Sequence, residues 1–143
     1  MKSVFSKLKD KTLKDNMSNI VYSIPCTNCN LQYIGHSSRR LKDRITSHKS
    51  DARRYPDRCS LSMHVHENDH QMNYTDAKVL AVENNYFKRL FLEMAFISET
   101  DLTINKKSDI SHLSEIYSHL LHLDKEFNTN KLHRNTMVSD EYE

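Results

Sequence analysis

The sequence predicts a small α/β (α+β) domain, built on a three-stranded, mostly antiparallel sheet flanked by helices, with a zinc knuckle in the first hairpin. Three observations lead there. Two short segments with a two-residue apolar period, "NIVYSIP" and "LQYIG", are separated only by the turn-like "CTNCN". The rest of the chain alternates helical periodicity with one more short apolar run. Finally, the 143 residues include a single glycine and two prolines, which argues against a turn-rich all-β sandwich.

Residues 1–15 are lysine-rich and read as a basic leader or linker. Ile20, Tyr22 and Ile24 then share one strand face, and Leu31 and Tyr33 do the same in the second run. Pairing of the two as a β-hairpin brings Tyr22 and Tyr33 together on adjacent strands. Gly35, the only glycine, marks a special backbone demand at the end of "QYIG". Ser37 or Ser38 can cap a helix running to about Arg54. On it Arg40, Arg44 and His48 recur every four residues and form a stripe.

The following "YPDRCSLSMHVHENDHQMNY" is polar, histidine-rich and too irregular to assign. "AKVLAVE", Ala77 to Glu83, is a strand. "NNYFKRLFLEMAFISE" is an amphipathic helix with Phe87, Leu90, Phe91, Met94 and Ile97 as its core face and Glu93 beside it. Ser108 to Leu123 reads as another helix, followed by a polar, frayed tail. The resulting organisation is a leader over 1–15, a domain over 16–107, and a C-terminal helix and tail over 108–143.

Charge is uneven. The net charge is +2, yet Arg39 to Arg58 holds eight Lys/Arg against three Asp, while Asp140 to Glu143 carries three acids. A basic segment of that kind suits a polyanion, and Arg39, Arg40, Lys42, Lys49, Arg53 and Arg54 are its candidate DNA contacts. No apolar run approaches the 18 residues that a membrane span needs. Three cysteines, two of them too close for an easy disulfide, and no signal peptide point to a reducing intracellular compartment and a metal site.

Cys26 and Cys29 have the Cys-x-x-Cys spacing of half a tetrahedral zinc site. His64 and His70 supply the other half, with His66 as the substitute for His64. Cys59 reads as a small core residue. Two tyrosines, an arginine, a histidine and a glutamate form a second kit. A tyrosine hydroxyl bonded to another base helps deprotonate water, an arginine neutralises charge growing on phosphorus, and a carboxylate holds a divalent cation.

The order "IVY", ten residues, "YIG", an arginine eleven positions after the second tyrosine and a glutamate in a downstream helix resembles the GIY-YIG nuclease family. The similarity is greatest to the endonuclease domain of Penelope-like retroelements. It is carried by "YSIPCTNCNLQYIG", "YIGHSSRRLKDRITSHK", "SLSMHVHENDH" with "DAKVL", "KRLFLEMAFI" and "INKK", from about Asn19 to Lys107. The first motif here is "NIVY", without a glycine, and His36 follows "YIG" where that branch often has an acidic or polar residue.

The resemblance implies a divalent-metal-dependent DNA endonuclease that leaves a 3′-hydroxyl, nicking target sites for retroelement insertion. Tyr22 would be the base or water-orienting hydroxyl, Tyr33 the second phenol, Arg44 the transition-state cation and His48 a relay. Glu93 would be the single ligand of Mg²⁺ or Mn²⁺, and Asn105 a positioning residue. A reverse transcriptase domain of a parent polyprotein would be the partner, and the nucleus the location. The competing readings are a zinc-stabilised nucleic-acid-binding module without catalysis and a stand-alone repair nuclease acting on branched DNA.

Overall fold

A computed structural model describes residues 13–140, apart from the side chains at 118, 121, 124–125 and 131–140. Most of the leader and the last three residues of the tail therefore lie outside the described residues. Three strands, β1 (Ile20–Pro25), β2 (Gln32–Ser37) and β3 (Lys78–Val82), form one sheet in the order β2-β1-β3. Both pairings between these strands are antiparallel, and one isolated parallel bridge joins Gln32 of β2 to Thr103.

β1 is central and is covered on both faces, which is why every residue from Ile20 to Ile24 is buried. Ile20, Tyr22 and Ile24 face a core completed by Leu41 and Ile45 of α1 (Leu41–Arg54) and Leu61 of α2 (Ser60–Asn68). Val21 points the other way, into a smaller cluster with Ile34 and with Ile97 of α3 (Tyr86–Glu99). A bulge in β3 opposite Val21 and Tyr22 turns both Leu80 and Ala81 toward that second cluster.

Several helix boundaries differ from those the sequence pattern predicts. α1 begins after Arg40, and neither Ser37 nor Ser38 caps it. Ser37 Oγ instead accepts from the Arg39 backbone N–H, and the helix's first free N–H, at Leu41, donates to the Met17 carbonyl at 2.9 Å. The unassigned histidine-rich stretch contains α2, whose inward side is Ser60, Leu61, Ser62 and His64. Small serines stand where apolar residues usually mark a helix, so its period is hidden.

Of the stripe expected on α3, Met94 and Ile97 are buried, whereas Phe87 is 46% exposed and Arg89, outside the stripe, is buried. The helix serves two partners. One flank lies on the sheet, and on the other Phe91 stacks on Tyr117 of α4 (Leu113–Asp140) with ring centroids 5.8 Å apart. α4 extends well past Leu123, preceded by a 3₁₀ turn over Lys107–Ile110. No glycine or proline follows Pro56, so nothing in the sequence stops the helix. Among the described residues no helix is long and apolar enough to cross a membrane.

Gly35 answers a demand of space. Its φ is not positive, but it pairs directly with Tyr22, and a Cβ there would stand 2.7 Å from Tyr22 Oη and 2.9 Å from Cζ. The Tyr22 ring is fully buried and cannot withdraw. Gly35→Ala is therefore expected to lower the unfolding free energy by about 1–3 kcal/mol in urea titrations. An unchanged midpoint would show that the ring has room to move.

Candidate active site and metal cluster

Tyr22 and Tyr33 project from the same face of the hairpin, diagonal across the register, with ring centroids 6.5 Å apart. α1 lies over that face and delivers two side chains one turn apart. His48 Nε2 is 2.7 Å from Tyr22 Oη, and Arg44 Nε donates to the same oxygen at 3.3 Å. Tyr33 packs edge-on against the His48 ring, with centroids 5.3 Å apart. His48 is fully buried, and its Nδ1 has no hydrogen-bond partner among the described residues.

Burial raises the Tyr22 hydroxyl to about 12, with the Arg44 charge opposing. Burial, then the Arg44 charge, drops His48 to about 3. At neutral pH the phenol and the imidazole are thus both uncharged. Arg44 can only donate, so the Tyr22 oxygen accepts from it and its own hydrogen is free for His48 Nε2.

β2 is an edge strand, and its open side is where the remaining groups collect. Asn105 fills the outward-facing backbone of Ile34: its Oδ1 accepts from Ile34 N–H and its Nδ2 donates to Ile34 O, each at 2.9 Å. Two residues further along, the His36 backbone N–H lies close enough to the Glu93 carboxylate to favour its charged form. Glu93 Oε2 also lies 3.5 Å from His36 Nε2. Glu93 therefore reaches from α3 around the edge of β2 rather than through the sheet.

Burial and the neighbouring Asp109 lift its carboxyl to about 7, with Arg44 and the His36 amide opposing. Glu93, Tyr33 and Asn105 line one open cavity of about 400 Å³, together with Arg58, Cys59 and Asp109. Of the six residues expected to carry catalysis, Tyr22, Arg44 and His48 form one bonded cluster. Tyr33 links it to the cavity, and Glu93 and Asn105 stand along the far wall.

Four features of this region carry no signal in the sequence. Asp109 Oδ2 accepts from Ser60 Oγ, Asn105 Nδ2 and the Lys106 backbone N–H, tying the segment after α3 to the start of α2. Arg89 is buried beside His36. Arg58 and Cys59 line the cavity. None of them sits at a telling interval from the tyrosines, so no spacing could have flagged them.

The basic candidates separate onto different sides of α1. Arg40 stands one turn before Arg44 and is 3.0 Å from Asp43. Arg39 folds back onto Ser47 Oγ at 3.0 Å. Lys42, Lys49 and Arg53 recur at intervals of seven and four, which puts them on the opposite flank of the helix from Arg44. There Lys49 lies over the Tyr74 ring, 5.2 Å from its centroid. Arg54 is exposed in the last turn.

The Cys26, Cys29, His64 and His70 donor atoms lie within 4.8 Å of one another. Cys29 Sγ to His64 Nε2 is 3.5 Å, Cys26 Sγ to His70 Nδ1 is 3.6 Å, and the two ring nitrogens are 3.2 Å apart. These are the edges of a tetrahedron around an ion about 2.0–2.3 Å from each donor, as in a structural zinc site. Burial, then His70, lowers His64 and keeps its imidazole neutral, the form a metal binds. The cluster can hold a metal ion. His66 is exposed, two positions round the helix from His64. Because two donors come from the hairpin turn and two from α2 and the residue after it, the cluster staples those elements together rather than closing a knuckle within the hairpin.

A family model for the GIY-YIG catalytic domain matches residues 18–99, which is more than half of the chain. The chain belongs to the GIY-YIG family. No curated protein and no solved structure matches it. The GIY-YIG match spans β1 to α3 and so includes Tyr22, Tyr33, Arg44, His48 and Glu93. It identifies a nuclease domain.

Two outcomes are expected. His48 is neutral in the folded state down to about pH 3, whereas its unfolded imidazole protonates near 6.5. Its contribution is complete above pH 6.5 and is lost as pH falls toward 3, at up to about 1.4 kcal/mol per pH unit. Urea titrations across that range should show a shallower acid slope for His48→Gln, and equal slopes would contradict the burial argument. Metal analysis should show one bound ion per chain, lost in Cys26→Ser together with thermal stability. Retention of the ion would remove the cluster.

Proposed function

We propose that this chain is a divalent-metal-dependent DNA endonuclease that hydrolyses a phosphodiester bond and leaves a 3′-hydroxyl. The observation that carries the reading is that the Tyr22–His48–Arg44 cluster packs against Tyr33, and Tyr33 lines one open cavity with the Glu93 carboxylate, although the groups come from β1, β2, α1 and α3.

Tyr22 orients the attacking water. Its hydroxyl leans its hydrogen onto His48 Nε2, which leaves the oxygen free to receive one from water. Because neither group is charged at neutral pH, the pair works as a hydrogen-bond relay and not as a preformed phenolate. Arg44 covers the hydroxyl in the resting arrangement. An arriving phosphate draws the guanidinium toward itself, which uncovers Tyr22 and places a cation against the charge developing on phosphorus. Tyr33 walls the other side of His48 and borders the cavity.

Glu93 would hold Mg²⁺ or Mn²⁺, and a bound ion would stabilise the leaving oxygen. The residues fit that role, because a largely buried carboxylate raised to about 7 by burial and by the neighbouring Asp109 gains a partner for its charge when a cation binds. Asn105 fixes the β2 edge beside it. The Cys26, Cys29, His64 and His70 cluster suits zinc in a structural role, since it holds α2, which borders the cavity, against the hairpin turn. Arg40, Arg39, Lys42, Lys49, Arg53 and Arg54 would contact phosphates on both flanks of α1.

The Cys pair inside the hairpin, together with the helix, paired-histidine and glutamate-helix motifs similar to those of Penelope-like elements, supports target-site nicking beside a reverse transcriptase. A chromosomal target would put that activity in the nucleus.

Incubation of supercoiled plasmid with Mg²⁺ should produce nicked circles, and the nick should be extendable by a DNA polymerase without prior end repair. Removal of Mg²⁺ or the change Glu93→Ala should lower the rate by at least about 100-fold. Equal nicking by wild type and Glu93→Ala would exclude catalysis here and favour a binding module.

A further inference from the structure

α3 carries Arg89 and Glu93 one turn apart, and His36 of β2 fits between them. Arg89 is only 4% exposed, and among the described residues it has no carboxylate partner. Its guanidinium is held instead by neutral groups. It donates to the Glu83 carbonyl at 3.0 Å, to Asn19 Oδ1 at 3.3 Å and to His36 Nδ1 at 3.3 Å. The Tyr86 ring closes the outer side, 5.8 Å from the guanidinium and 5.9 Å from the His36 ring.

An arginine has no lone pair to offer, so the bond to Nδ1 requires His36 to accept there. In a neutral imidazole the proton must then sit on Nε2, the nitrogen that faces Glu93 Oε2 at 3.5 Å. The backbone N–H of the same residue also lies close to that carboxylate. One residue thus sets its ring Nε2–H against Glu93, in a tautomer fixed by a buried cation.

We infer that His36 is a positioning residue for the metal-binding carboxylate, set in its Nε2–H tautomer by Arg89 and holding Glu93 Oε2 so that the other carboxylate oxygen faces the cleft. This rests on the reading of Glu93 as the ligand of the divalent ion. The arrangement is that of a ligand oriented through a second hydrogen-bond partner, whose loss costs about 10–100-fold in metal affinity. Burying a charged arginine against neutral acceptors is costly, and the orientation it imposes on the imidazole gives that burial a reason.

The test is Mn²⁺ binding to the zinc-loaded protein, followed by the electron paramagnetic resonance signal of the free ion. Glu93→Gln should abolish the site. His36→Ala should weaken it by about 10–100-fold, with the melting temperature and zinc content used to verify folding. His36→Gln should bind within a few-fold of wild type, because its amide oxygen can accept from Arg89 while its N–H₂ donates to Glu93. The ¹⁵N shifts of His36 should report the Nε2–H tautomer in wild type and a mixture in Arg89→Met.

If His36→Ala binds Mn²⁺ as tightly as wild type while Glu93→Gln does not bind, the relay is overturned and the nuclease reading stands. An Nδ1–H tautomer in the wild-type protein overturns it without any variant. Mn²⁺ binding that Glu93→Gln leaves untouched overturns the relay and the metal role of Glu93 together.

Discussion

The Tyr22 hydroxyl occupies the place where any side chain at position 35 would begin. That single exclusion orders the cleft. With Gly35 directly opposite, the phenol lies flat over β2 and carries its oxygen toward the strand's open edge, instead of stopping above the middle of the sheet. α1 can then approach closely enough for Arg44 and His48, one turn apart, to reach the same oxygen. The unpartnered Nδ1 of His48 marks what this costs, since a buried ring nitrogen goes unsatisfied so that the other can face the phenol.

The open edge of β2 is the second organising feature. An edge strand leaves every other N–H and C=O without a strand partner. Here those groups at Ile34 are taken by Asn105 and the amide of His36 lies close to Glu93, so what would be a pairing liability becomes a wall of the cavity. Asp109 anchors that wall to the start of α2. The Cys/His cluster anchors the hairpin turn to the same helix and the residue after it. α2 lacks the apolar stripe that would hold it in place by burial alone, with Ser60 and Ser62 on its inward side, so these two polar clasps supply part of what hydrophobic packing supplies elsewhere.

How much of this is legible in the sequence varies by residue. The hairpin, α1 and α3 announce themselves by period, and among the residues that carry the family resemblance the fold joins Tyr22, Arg44 and His48 directly. The pairing of Arg44 with His48 shows through because a four-residue interval means the same thing in any helix, although Arg40 stands just outside α1. α2 does not, because serine in the core has no hydropathy signature. The buried face of α3 is read correctly at Met94 and Ile97 but not at its N-terminal end, because Phe87 and Phe91 look like core and instead face α4 or solvent. His36 and Arg89 are 53 positions apart, and Asp109 is 49 from Ser60; contacts at such separations are set by tertiary packing, which no local pattern encodes. The choice between His64 and His66 likewise depends on which side of α2 turns toward the cysteines.

The hydroxyl relay and the carboxylate, on this reading, act as one unit on a single phosphate. Single-turnover cleavage of a labelled duplex by Tyr22→Phe, Glu93→Gln and the double variant tests that unity most directly. Groups that work together are strongly non-additive, so the double variant should be about as slow as the slower single variant. Losses that multiply in the double variant would mean two independent contributions, and the single centre described here would be wrong.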